Sequence, residues 1–177
     1  NGKIKLTVAS SKTTASYTNT RKTGDIEVKK SVVSDLSADH TRDFTFTIDL
    51  NDSTISKSYS AQKYVNGTAI GSPITLTFTN GVSDTFMLKD TESITFTGLP
   101  LGLDYTVKES VPTAEFDCNP STGKVDLTVS STKDTADFTN TRKKGNIEVK
   151  KSVKSDVPGD YTKDFSFTIE LDDKTIN

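Results

Sequence analysis

The chain has 177 residues, of which 32% are hydrophobic, with 22 basic against 24 acidic residues, a net charge of -2, one cysteine and no tryptophan. Charges of both signs are mixed along its length, which leaves no electrostatic footprint for nucleic acid or an anionic membrane. No apolar run is long enough to span a bilayer, and the single Cys118 excludes an intramolecular disulfide among these residues.

In chain order, the first informative feature is a stretch that returns. YTNTRKTGDIEVKKSV at 17–32 recurs as FTNTRKKGNIEVKKSV at 138–153, an offset of 121 residues when Gly145 is set on Gly24. The same offset holds without gaps from Gly2 against Gly123 to Leu50 against Leu171. One complete module is therefore expected over 24–142. Residues 1–22 read as the C-terminal strands of a preceding repeat, and residues 144–177 as the N-terminal strands of a following one. The join, Thr141 to Gly145, has none of the character of a flexible Gly/Ser tether, so a stiff string of modules is expected.

Within the module, strand signals are dense. IEVKKSV is followed by DFTFTIDL, in which Phe44, Phe46, Ile48 and Leu50 alternate with Asp and Thr. A weaker strand over 55–64 ends at the hairpin dipeptide Asn66-Gly67, and another over 74–78 is turned back by Asn80-Gly81 into DTFMLKD. SITFTGLP, DYTVKES, a loop containing Pro and Asn, KVDLTVSS and TADFTNTR complete about nine strands. The expected fold class is all-β, an Ig-like Greek-key β-sandwich with antiparallel strands, in tandem repeats.

Strand alternation puts Ile26, Val28, Lys30 and Val32 on one face, which aims a lysine at the core. A buried ammonium costs several kcal/mol unless compensated. The same rule continues Tyr105 and Val107 into Glu109, and Ala136 and Phe138 into Asn140. Burial favours the neutral forms of amines and carboxyls alike. A neutral Lys30 is a nucleophile, and a protonated Glu109 could hydrogen-bond the Asn140 side-chain carbonyl, polarise it and shuttle protons. Attack on the carboxamide with loss of ammonia gives a Lys–Asn isopeptide bond, with proximity supplied by the fold. Such a step is single-turnover self-crosslinking, and the chain is not expected to be an enzyme. Lys29 competes for the amine role if the register slips by one residue.

IEVKKSV, DFTFTIDL, LKDTESITFTGLPLGLDYTVKES and the terminal FTNT together resemble the isopeptide-linked pilin modules of Gram-positive surface proteins, of the streptococcal pilus backbone type. Related collagen-adhesin B-type stalk domains use a similar scheme. The resemblance implies Lys30 as amine, Asn140 as amide and Glu109 as assisting acid. It also implies an extracellular, bacterial cell-surface location, with cell-wall anchoring through a region outside this chain. Asn19 and Lys151 are the repeat equivalents of Asn140 and Lys30, separated from the rest of their triads.

The function expected is a structural stalk or spacer of a surface adhesin or pilus. The alternative is a ligand-binding adhesin domain recognising a host protein or glycan. Expected partners are neighbouring repeats of the same polypeptide and, through another domain, host surface ligands; nucleic acid and membrane insertion are not expected. No cofactor or metal is implied. Asp52, Asp84, Asp90, Asp172 and Asp173 lack ligand spacing and read as solvated turns. His40 stands alone and its repeat counterpart is Tyr161, which argues against acid–base or metal chemistry.

Overall fold

A computed structural model describes residues 2–110 and 112–171. Among them, eleven strands form between Thr23 and Arg142: β1 (Thr23–Val33), β2 (Phe44–Asp49), β3 (Lys57–Val65), β4 (Thr68–Thr79), β5 (Val82–Ser83), β6 (Phe86–Leu88), β7 (Glu92–Pro100), β8 (Asp104–Glu109), β9 (Phe116–Asn119), β10 (Lys124–Thr128) and β11 (Asp134–Arg142). A short helix, α1 (Ser37–Thr41), links β1 to β2.

The strands follow one hydrogen-bonded path, β10-β8-β2-β5-β4-β3-β7-β1-β11-β9, with β6 paired to β2. The path folds over on itself as a sandwich. Phe46, Ile48, Phe86 and Val107 from one side meet Ile26, Val28, Phe96 and Phe138 from the other, all buried. Edge-to-face contacts fix this interior: Phe46 and Phe138 have ring centroids 5.2 Å apart, and Phe86 and Phe96 5.4 Å apart.

Three features differ from the sequence reading. β1 and β11 pair in parallel, Ile26 with Asp134 through Val33 with Thr141, so the sheet is mixed rather than wholly antiparallel. First and last strands of a module can be neighbours running the same way only because the intervening chain crosses the sandwich between them. The stretch read as a loop before KVDLTVSS contains β9, a four-residue strand between Pro112 and Pro120 that pairs with the end of β11. The return after Asn80-Gly81 is broken into two pieces, β5 just before DTFMLKD and β6 within it, both pairing β2.

The copies outside the module form no ladders. Residues 2–22 and 143–171 are mostly exposed, and the only regular element described in them is a 3-10 turn at Pro158–Thr162. Their apolar residues, Ile147, Val149, Phe165 and Phe167 among them, lie open to solvent. Neither segment carries counterparts of β3 to β9, against which such residues pack in the complete module.

Candidate functional site: a buried Lys–Glu–Asn cluster

Two adjacent strands of the folded path, β1 and β11, and one facing strand, β8, deliver the site. β1 lies between β7 and β11, and its inward positions are Ile26, Val28, Lys30 and Val32, all buried. Lys30 is 1% exposed, whereas Lys29 points outward with its side chain 48% exposed and sits 3.8 Å from Glu27. On β11, Asn140 is fully buried opposite Val32, two rungs along from Phe138, which sits opposite Lys30. Glu109 ends β8 across the sandwich, opposite Phe46 of β2.

The structure thus brings Lys30, Glu109 and Asn140 together. Glu109 Oε1 lies 2.9 Å from Lys30 Nζ, and it also accepts a hydrogen bond of 2.9 Å from Asn140 Nδ2. The lysine contact has ion-pair distance but not hydrogen-bond alignment, so Nζ is left without a hydrogen-bond partner. Glu109 Oε2 and Asn140 Oδ1 are likewise buried and unpartnered. Buried polar atoms are normally satisfied, so three orphans in one cluster set this part of the core apart.

The expected hydrogen bond from Glu109 to the amide carbonyl is not formed. One carboxyl oxygen instead touches both the lysine nitrogen and the amide nitrogen. An ammonium attracts the nearest carboxyl oxygen, and the same oxygen can take an amide N–H only from the Nδ2 side of Asn140.

The walls are aromatic. Lys30 Nζ sits 4.4 Å from the centroid of the Phe44 ring, which is packed edge-on by Phe116 at 5.9 Å. Burial pushes the Lys30 amine below its ordinary value, against the opposing pull of the Glu109 carboxyl. Cys118 on β9 is the rung partner of Asn140, and burial raises its thiol, as expected for a structural cysteine.

Two supporting clusters were not visible in the sequence pattern. Asp90 Oδ1 accepts from Val32 N at 2.7 Å, just past the last β1–β7 rung at Lys29 and Ser93, and so continues the ladder with a side chain. His40 contacts Asp90 Oδ2 through Nδ1 at 2.7 Å and the Ser34 carbonyl through Nε2 at 3.1 Å. Two acceptors suit an imidazolium, and the Asp90 hydrogen bond with the Ser34 carbonyl raises the His40 pKa above 6.5. Asp39 of α1, 3% exposed, receives Arg142 at the end of β11, with Nε at 2.8 Å from Oδ2 and Nη2 on Oδ1. The aspartate signal read as a solvated turn at Asp90 is therefore corrected: it holds β1 beside Lys30. Asn19 and Lys151 lie in the flanking copies, away from any such cluster, and Lys151 Nζ rests over Phe165.

Residues 24–142 match the family described as a domain of unknown function, DUF7601. The chain belongs to the DUF7601 family. No curated protein matches it. Among solved structures, the DUF7601 module is similar to the pilus-presented adhesin Spy0125 (Cpa), at 27% identity and a TM-score of 0.54, over 68% of this chain and 27% of that one. It is also similar to the major pilin from Streptococcus pyogenes, at 25% identity and a TM-score of 0.53, over 68% of this chain and 48% of the pilin. A further S. pyogenes major pilin, T3.2, shares the fold at 23% identity and a TM-score of 0.50. The chain thus spans roughly a quarter to a half of these proteins. The fold is that of pilin Ig-like β-sandwiches, and the resemblance read from IEVKKSV and its companion segments holds at that level.

Among the described residues, no helix is long and apolar enough to cross a membrane, and no group of His, Cys, Asp and Glu is arranged to hold a metal ion. A polar groove beside β1 is lined by Glu27, Tyr64, Glu92 and Lys133; Lys133 Nζ lies 2.7 Å from Glu27, and Lys63 Nζ, from outside the groove, 3.6 Å from Glu92.

Proposed function

We propose that the DUF7601 module is a stalk segment of a bacterial cell-surface pilus or adhesin, and that it crosslinks itself by an isopeptide bond between Lys30 and Asn140. The observation that carries this reading is the single Glu109 oxygen 2.9 Å from both nitrogens, with all three side chains buried. In the reaction, Lys30 Nζ as free amine attacks Asn140 Cγ. A C–N bond forms, the Cγ–Nδ2 bond breaks, and the proton lost by Nζ passes through the Glu109 carboxyl to Nδ2, which leaves as ammonia. No oxidant or cofactor enters the balance. Burial supplies the neutral amine, and the fold supplies the proximity.

The mechanical sense of the bond follows from topology. Tension along a tandem array enters at Thr23 on β1 and leaves at Arg142 on β11. These strands are parallel neighbours, so the pull loads their ladder in shear. A covalent link from Lys30 to Asn140 carries the load across the module and shields residues 31–139. The similarity to a major pilin and to a pilus-presented adhesin supports a surface role of this type. Ligand recognition is the alternative; in the groove beside β1, Glu27 and Glu92 are each paired with a lysine.

Replacing Glu109 with Ala tests the chemistry. The variant should keep the full mass of its sequence while the parent chain is lighter by one ammonia. An ammonia loss that persists in Glu109→Ala removes Glu109 from the reaction.

A further inference from the structure

The two ends of the module are tied to their flanking segments by main-chain hydrogen bonds that fall on the same repeat position. At the start, Leu101 N donates to Lys22 O at 3.0 Å, one rung before Thr23 opposite Pro100. The β1–β7 ladder therefore begins on Lys22. At the exit, Lys143 N donates to Glu115 O at 3.0 Å, one rung after Arg142 opposite Phe116. The β11–β9 ladder therefore ends on Lys143. Lys22 and Lys143 are the same residue of the repeat, 121 positions apart.

We propose that consecutive modules dock end to end through this one shared residue, its N–H closing the last ladder of one module and its C=O opening the first ladder of the next. The proposal rests on the tandem-stalk reading and names its interface. The partner surface is the β7–β8 turn of the following repeat, the counterpart of Pro100–Gly102, seated at the Thr113–Glu115 corner of the preceding one. No residue is left over to act as a hinge.

Side chains around the junction agree with this arrangement. Lys143 Nζ reaches Thr113 O at 2.7 Å and Lys144 Nζ reaches Asp35 at 2.5 Å, so both linker lysines are held by the module they leave. Arg142 turns back onto Asp39 and Glu115. Its counterpart Arg21, in a segment without equivalents of those acids, reaches forward to Leu101 O at 2.7 Å. Gly24 must be glycine, because a Cβ there would meet Ser130 O at 2.0 Å and Leu101 Cδ2 at 2.8 Å as β1 tucks under the module's end. Gly145 has open space around it, yet the repeat keeps glycine there. That choice is explained if the following module closes over Gly145 as this one closes over Gly24.

The test extends the chain at Asn177 with a copy of residues 57–142, which completes the second module. Backbone relaxation should show both modules tumbling as one body. A variant carrying Gly-Ser inserted after Lys143, in which the two ladders no longer share a residue, should show the two modules tumbling independently. Independent tumbling of the uninserted chain overturns the proposal. Should the extended chain fail to fold, the 177-residue chain still tests the premise: a Leu101 amide exchanging as fast as open-loop amides means that the first ladder does not begin on the shared residue, and overturns the proposal. Intact mass on the same sample separates the two ideas. Ammonia loss with independent tumbling removes the junction alone, and coupled tumbling at full mass removes the bond alone.

Discussion

The crosslink makes a quantitative prediction about how Lys30 and Asn140 respond to joint mutation. A bond between them closes a loop of about 110 residues, and the chain-entropy relation used for disulfides gives a stabilisation of about 5 kcal/mol for a loop of that length. Asn140→Ala loses this contribution, because no carboxamide is left for Lys30 to attack. Lys30→Met loses the same crosslink while keeping a side chain of similar length. A bond can be lost only once, so the double variant should be hardly less stable than either single one. The double-mutant cycle, measured by urea unfolding with intact-mass control of each protein, should return a coupling energy of about 5 kcal/mol. Non-covalent neighbours give roughly 0.5–3 kcal/mol. The parent should also show a smaller m-value than the variants, because a tethered unfolded chain exposes less surface. A coupling energy inside the non-covalent range, with equal m-values, would refute the reasoning.

Two further outcomes follow from the surroundings of the site. Gly24→Ala places a methyl on the Ser130 carbonyl and should cost about 2–3 kcal/mol, lowering the melting temperature by roughly 10 °C; calorimetry showing no change would contradict the close approach. His40, whose pKa is raised by the Asp90 hydrogen bond and the Ser34 carbonyl, contributes stability that is complete below pH 6.5 and is lost as pH rises through its higher folded value. His40→Tyr, the residue found at Tyr161, should therefore flatten the melting temperature between pH 6 and 9, and superimposable parent and variant profiles would exclude a stabilising His40–Asp90 contact.

The repeat and the alternation rule made much of this legible in sequence. Ile26, Val28 and Val32 announced a buried face, and Lys30, Glu109 and Asn140 fell in phase with buried neighbours on three strands, which is where the structure has them. Alternation also separated Lys30 from Lys29. Glu27 escaped it: the residue faces away from Lys30 yet is 7% exposed, because Ser93 and Lys133 close over it. Pairing direction was not legible, since nothing local in IEVKKSV or TADFTNTR distinguishes a parallel from an antiparallel neighbour. β9 was missed because four residues between two prolines carry no period. Asp90 and His40 are 50 residues apart and meet only through the β6–β7 turn and α1, so their pairing is a property of tertiary structure. The Glu109 contact with Nδ2 in place of the carbonyl belongs to the same class: alternation gives the face of a side chain and not the orientation of its amide.

The most direct measurement is the intact mass of the folded 177-residue chain, followed by peptide mapping after proteolysis. The account predicts a chain lighter than its sequence by one ammonia and a branched peptide joining Lys30 to Asn140, with Asn19 and Lys151 unmodified. A full-mass chain yielding separate linear peptides around Lys30 and Asn140 would contradict it.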